Sequence, residues 1–200
     1  ERLMAIVAEG ERGRVYLSPT KQQEDIARSA EPEWRPEQEM TQKNPNLLSG
    51  RGYGIFYWHE LFTNRQLEAL STFEKSVKEI RNIINQDYLE NNPQMYSRAK
   101  EYADSVLLYL AFSVDKSSDY WSKACSWHSS KELVRNTFGR QAIPMVWDFC
   151  ETNPFSNSTG NVSSGIEWAV EAIHKFPCEP ISYAIQANAT TQNLSNGRII

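Results

Sequence analysis

Cysteine is scarce in this chain: Cys125, Cys150 and Cys178 are the only three among 200 residues. An odd, widely spaced set argues against a disulfide framework, and none of the spacings is that of a paired zinc motif. Histidine is equally thin, with His59, His128 and His174. Long apolar runs are missing too, since nothing approaches the roughly 18 residues that a membrane-spanning helix needs. No charged-then-apolar leader is recognised, so a soluble cytoplasmic protein is expected. A basic excess is also lacking. The formal net charge is −4, which excludes the whole molecule as an electrostatic DNA binder and confines any nucleic-acid contact to a local patch. No complete nucleophile, metal or cofactor motif is present, which leaves an independent enzyme the least supported class.

What the chain does have is aromatic residues. Six Trp, nine Tyr and eight Phe accompany a hydrophobic share of 40% and a charged share of 23%, the composition of a folding domain. At this length one domain with its own core is expected. Leu3 to Ala8 and Arg14 to Leu17, separated by Glu9 to Gly13, predict a β-hairpin within residues 1–20. A helical turn follows at Lys21 to Ser29. Residues 31–54 carry three prolines and three glycines among polar residues, which predicts an irregular linker and a candidate mobile loop.

A helical core is expected over 63–176. Thr63-Asn64-Arg65-Gln66 has the form of a capping box, and Leu67, Leu70, Phe73, Val77, Ile80 and Ile84 then recur at helical spacing through about Tyr88. After Asn91-Asn92-Pro93 a second long helix is expected from Gln94 to Trp121, with Tyr102, Val106, Tyr109, Leu110 and Val114 inward. Ser129-Ser130-Lys131-Glu132 predicts a third helix, from Ser130 to about Thr137, and Pro144 opens a short one with Met145, Val146 and Phe149. Past a Ser/Asn/Gly loop over 156–165, an amphipathic helix turns Ile166, Ala169, Val170 and Ile173 inward. A tail over 177–200 holds a strand near Ile181 to Ile185. The class is mainly α (α+β): a helical domain with an N-terminal β-hairpin and a short C-terminal strand.

The densest chemistry lies between Arg135 and Phe155. Arg135 and Arg140 suit phosphates, while Asn136 and Gln141 suit adenine edges. The competing reading has the arginines bracing the following loop or pairing with Asp148 and Glu151. Asn153-Pro154-Phe155 is close to the Asp/Asn-Pro-Pro-aromatic turn of amino-directed methylases but lacks the second proline. Its plain alternative is a helix stop with Phe155 as a plug. Tyr53, Trp58 and Trp147 are candidate stacking residues, the first two because Gly52 and Gly54 leave room for a ligand. Cys125 and His128 offer half a zinc site without a second half, so no metal is expected.

The run from Arg135 to Phe155, together with Gly10 to Pro19 and Tyr57 to Leu70, resembles the large bacterial and archaeal adenine-specific DNA methylases that carry a zinc ribbon. The likeness extends over most of residues 1–176 and weakens over Glu31 to Arg51 and after Phe176. In that family the glycine-rich cofactor loop and the zinc ribbon lie upstream, and the catalytic Asp-Pro-Pro-Tyr follows a short apolar strand. Neither occurs in these residues. The resemblance therefore implies an internal accessory segment, excised from a Rossmann-like methyltransferase and without a catalytic residue of its own. It further implies a parent that moves a methyl group from S-adenosylmethionine to the exocyclic amine of adenine, with DNA and the remainder of the methyltransferase chain as partners. The alternative is a non-catalytic helical interaction module of a multi-subunit, defence-type assembly.

Overall fold

The computed structural model describes residues 2–176 and Asn188. It is mainly helical, with an antiparallel hairpin at the start and a second, smaller two-stranded sheet further along. The strand expected near Ile181 to Ile185 lies outside the described residues. Among those described, no helix is long and apolar enough to cross a membrane.

The hairpin pairs β1 (Ile6–Gly10) with β2 (Gly13–Leu17). Its register closes on Gly10 opposite Gly13, which shortens the turn to Glu11-Arg12. Glu9 and Arg14 face each other across the ladder and form an ion pair. Trp127 Nε1 donates to Tyr16 Oη at 3.2 Å and ties the hairpin to the body. Helix α1 (Lys21–Arg28) starts on a capping box between Thr20 and Gln23.

Helix α2 (Asn64–Glu79) begins where the sequence places it. Gln66 N donates to Thr63 Oγ1 at 3.2 Å, and Thr63 N donates to Gln66 Oε1 at 2.8 Å. This reciprocal pair satisfies donors that a helix start otherwise leaves open. The single helix expected through Tyr88 is broken, however. Ile80 has ψ −12°, and α3 (Arg81–Asn91) starts beyond it. Neither Gly nor Pro marks the break, so the apolar spacing runs across it unaltered. A short 3-10 turn, Pro93–Met95, then reverses the chain into α4 (Tyr96–Ser118). Stacked Tyr88 and Tyr102 rings, 4.5 Å apart, and an Arg81–Asp104 ion pair join α3 to α4.

Helix α4 buries small residues, not large ones. Ala99, Ala103, Ser113 and Ser117 are its buried positions, whereas Tyr102, expected inward, is exposed, and Val106, Tyr109, Leu110 and Val114 are half-buried. The serines satisfy themselves: Ser113 Oγ donates to Tyr109 O and Ser117 Oγ to Ser113 O, both at 2.9 Å. Helix α5 (Val162–Lys175) meets this face through Gly165, where a Cβ would stand 2.7 Å from Ser113 O. Close approach turns the small side of α5 inward. Ile166, Val170 and Ile173, expected to be buried, are therefore exposed.

The other core is not helical. Met40, Leu48, Leu61, Ala124 and Ile143 form a buried cluster, with Trp58, Phe62 and Met145 packed around it. Two of these five come from the segment expected to be a mobile loop, which is irregular as predicted but docked. Ser49 within it is also buried, and its Oγ donates to Thr41 O at 2.8 Å.

Both short helices expected between 130 and 149 are absent. Residues 129–132 instead link β3 (Trp127–His128) to β4 (Leu133–Val134), with Glu132 in the left-handed region at φ 50°. Main-chain donors that would build those helices go to distant acceptors. Arg135 N bonds Ser126 O at 2.8 Å, Thr137 N bonds Asp119 O at 2.7 Å, and Cys150 N bonds Cys125 O at 2.8 Å.

Gly165 provides a test of sign. In an open helix, Gly→Ala is stabilising by up to about 1 kcal/mol. Against the Ser113 carbonyl the added methyl has no room, so Gly165→Ala is expected to destabilise by about 1–3 kcal/mol in urea unfolding. A gain in stability would show that α4 and α5 do not pack this closely.

Candidate nucleic-acid interface

Besides 152–166 and 180–200, two stretches of 15 residues or more in this acidic chain contain no Asp or Glu, residues 40–59 and residues 133–147. They meet in space. Ile143 N donates to Asn46 O at 2.9 Å and Leu48 N to Ile143 O at 2.8 Å, a parallel bridge between Leu47 and Ile143. Lys43, Arg51, Arg135 and Arg140 are all exposed on these segments, and none forms an ion pair among the described residues. Arg51 Nε donates to Pro45 O at 2.6 Å, which steadies its stem.

The competing reading, in which Arg135 and Arg140 pair with Asp148 and Glu151, does not appear among the described residues. Glu151 pairs with Arg65 instead. Support for the 136–138 turn comes from Asp119, whose carboxylate accepts from Asn136 Nδ2 and from Phe138 N, each at 2.8 Å. Asn136 is thus occupied, whereas Arg135, Arg140 and Gln141 remain exposed.

Tyr53 and Trp147 come together at the far end of the bridge, their rings 5.8 Å apart and nearly perpendicular. Trp58 does not join them. It sits half-buried in the 3-10 turn Trp58–Leu61 against the irregular core. Asn153 is turned to local use, its Oδ1 accepting from Phe155 N at 3.0 Å. Phe155 is neither a helix stop nor a plug: no helix precedes it, and its ring is 82% exposed with one edge toward Phe73.

Lys43 and Arg51 were not among the residues singled out from the sequence. The signal existed, since the absence of acids over 40–59 is visible without a structure. What the sequence did not contain was the pairing of that stretch with 133–147.

Beside this patch runs an open cleft of about 2850 Å³ between the hairpin, α1 and the body. It is larger than the roughly 300–1,000 Å³ of small-molecule sites. Nine acidic residues line it against seven Lys and Arg, so it does not favour phosphates. Burial, with neighbouring Cys125 adding to it, pushes the Cys150 thiol up to about 11, so it is protonated and unreactive at neutral pH. Among the described residues no group of three or more His, Cys, Asp and Glu is placed to hold a metal ion.

Compared with protein families, curated proteins and solved structures, the chain has no match.

Glu60 fixes the aromatic end of the connector. Its Oε2 accepts from Phe56 N at 2.6 Å and from Tyr57 N at 2.8 Å, and these two bonds hold its carboxyl below the ordinary 4.5. A carboxyl with a depressed folded pKa adds stability above its unfolded value and loses it as pH falls through the folded one. Urea unfolding is therefore expected to show a Glu60-dependent loss as pH drops below 4.5. Glu60→Gln should flatten that part of the profile; an unchanged acid limb would mean that the two bonds do not form.

Proposed function

We propose that this chain is an accessory, non-catalytic segment of an S-adenosylmethionine-dependent DNA adenine-N6 methyltransferase, and that it contributes to nucleic-acid recognition. The joined acid-free segments carry the reading. In a chain whose net charge is −4 they carry four exposed cations, and they are joined by a backbone bridge and by an exposed aromatic pair. Exposed, unpaired Arg and Lys neutralise phosphates with release of counterions, and Gln141 lies among them to read or position a base. The methyltransferase setting comes from the resemblance of 135–155, 10–19 and 57–70 to the zinc-ribbon adenine methylases. In this setting the cofactor and the catalytic tetrapeptide belong to the remainder of the chain.

A second reading is favoured by a different observation. Helices α4 and α5 expose the large apolar side chains of Leu108, Phe112, Ile166, Val170 and Ile173. That face suits contact with protein, whether the rest of the parent or another subunit.

The test pairs Arg135→Ala with Arg140→Ala in the full-length protein, with folding confirmed by circular dichroism. Labelled-methyl transfer to duplex DNA and DNA affinity across a salt series are both measured. Loss of two phosphate contacts is expected to flatten the slope of log affinity against log salt by about 1.8 for duplex. Methyl transfer should fall with it. Unchanged affinity and slope would remove the nucleic-acid role, and no transfer by the full-length protein would remove the methyltransferase setting in favour of the protein-contact reading.

A further inference from the structure

Building on the nucleic-acid reading, the geometry points to Tyr53 and Trp147 as a stacking site for an unpaired base, so that the patch takes single-stranded nucleic acid in preference to intact duplex. Trp147 is 76% exposed and Tyr53 45% exposed, although they contact each other. At an interplanar angle of 86° one ring offers only its edge to the face of the other. Three of the four ring faces are therefore left uncovered by the pair itself. Aromatic residues displayed this way stack on bases of any sequence, because every base has a π-face.

The backbone beside the pair is open as well. Gly52 and Gly54 both adopt φ 76°, and apart from the adjoining residues no atom lies within 4 Å of where a Cβ would stand on either. The backbone on both sides of Tyr53 is thus unobstructed by the rest of the chain. Tyr53 Oη and Trp147 Nε1 make no hydrogen bond among the described residues, which leaves a donor on each ring for a base edge or a phosphate oxygen.

Other exposed rings lack this combination. Trp168 lies under the Lys116 ammonium, 5.1 Å from its centroid, and Phe155 leans on Phe73. Phe56, Tyr57 and Phe138 are also exposed on the two acid-free segments, but Tyr57 is stacked on His59, and Tyr53 with Trp147 is the aromatic pair that joins one segment to the other. Arg51 lies two residues from Tyr53 and Arg140 seven from Trp147, as phosphate partners. A duplex hides its base faces in the stack, so only an unpaired strand uses both the rings and the cations.

Fluorescence anisotropy of the full chain with one labelled mixed-sequence oligonucleotide, as single strand and as duplex, decides the matter. The single strand is expected to bind more tightly. Trp147→Ala and Tyr53→Ala should each weaken it by about 5- to 100-fold without changing the salt slope, while Trp147→Phe retains most of the affinity. Equal binding of both forms, or alanine variants that bind like the parent, would overturn the stacking site even if Arg135→Ala with Arg140→Ala still flattens the salt slope. That pattern would preserve the phosphate patch. A full chain that binds neither form would overturn both readings, and binding of an aromatic or proline-rich peptide instead would assign the rings to a protein partner.

Discussion

The bridge between Leu47 and Ile143 is the contact on which the non-helical half of the molecule depends. Its two backbone hydrogen bonds, Ile143 N to Asn46 O and Leu48 N to Ile143 O, contribute about 0.5–1.5 kcal/mol each. Burial of the Leu48 and Ile143 side chains contributes more, about 1.5–3 kcal/mol each. Packing therefore supplies the energy and the hydrogen bonds set the register. Without that register the acid-free segments have no fixed relation, and Tyr53 does not meet Trp147. A deletion over 31–54 would remove Met40 and Leu48 from this core along with any ligand contact.

The helical half works by a different rule. Close approach at Gly165 lets α5 lie against the serine face of α4, and it leaves Leu108 and Phe112 of α4 and Ile166, Val170 and Ile173 of α5 exposed. In an ordinary amphipathic helix the large residues face the core and the small ones fill gaps. Here the order is reversed. A face assembled this way is closely packed at its centre and apolar at its margin.

Legibility in the sequence followed the range of the interactions. The Thr63–Gln66 capping box, the hairpin and the extent of α4 are short-range features, and each appears where its residues place it. The helices expected at 130–137 and 144–149 also had correct local signals, a capping box and a proline at a first turn. They fail because Ser126, Asp119, Asn46 and Cys125, all distant in sequence, accept the main-chain donors of Arg135, Thr137, Ile143 and Cys150. The same limit applies to the candidate interface. Tyr53, Trp147, Arg135 and Arg140 are each recognisable as types suited to nucleic acid, but their common location depends on one bridge that no local pattern encodes.

Charge then constrains how such an interface works. A chain of net charge −4 does not steer DNA from a distance, and beyond about 8 Å physiological salt screens what field remains. In the proposed role, Lys43, Arg51, Arg135 and Arg140 would act only on phosphates already close to them. Four such contacts weaken steeply with salt, whereas stacking on Trp147 and Tyr53 does not. The acid-lined cleft beside the patch adds direction, because it disfavours phosphate on the side toward the hairpin. A strand held at this edge therefore takes its lateral position from the cations and its hold at high salt from the two rings. In the proposed role this division of labour would let the acidic bulk of the chain limit nonspecific duplex binding and leave the site selective for exposed bases.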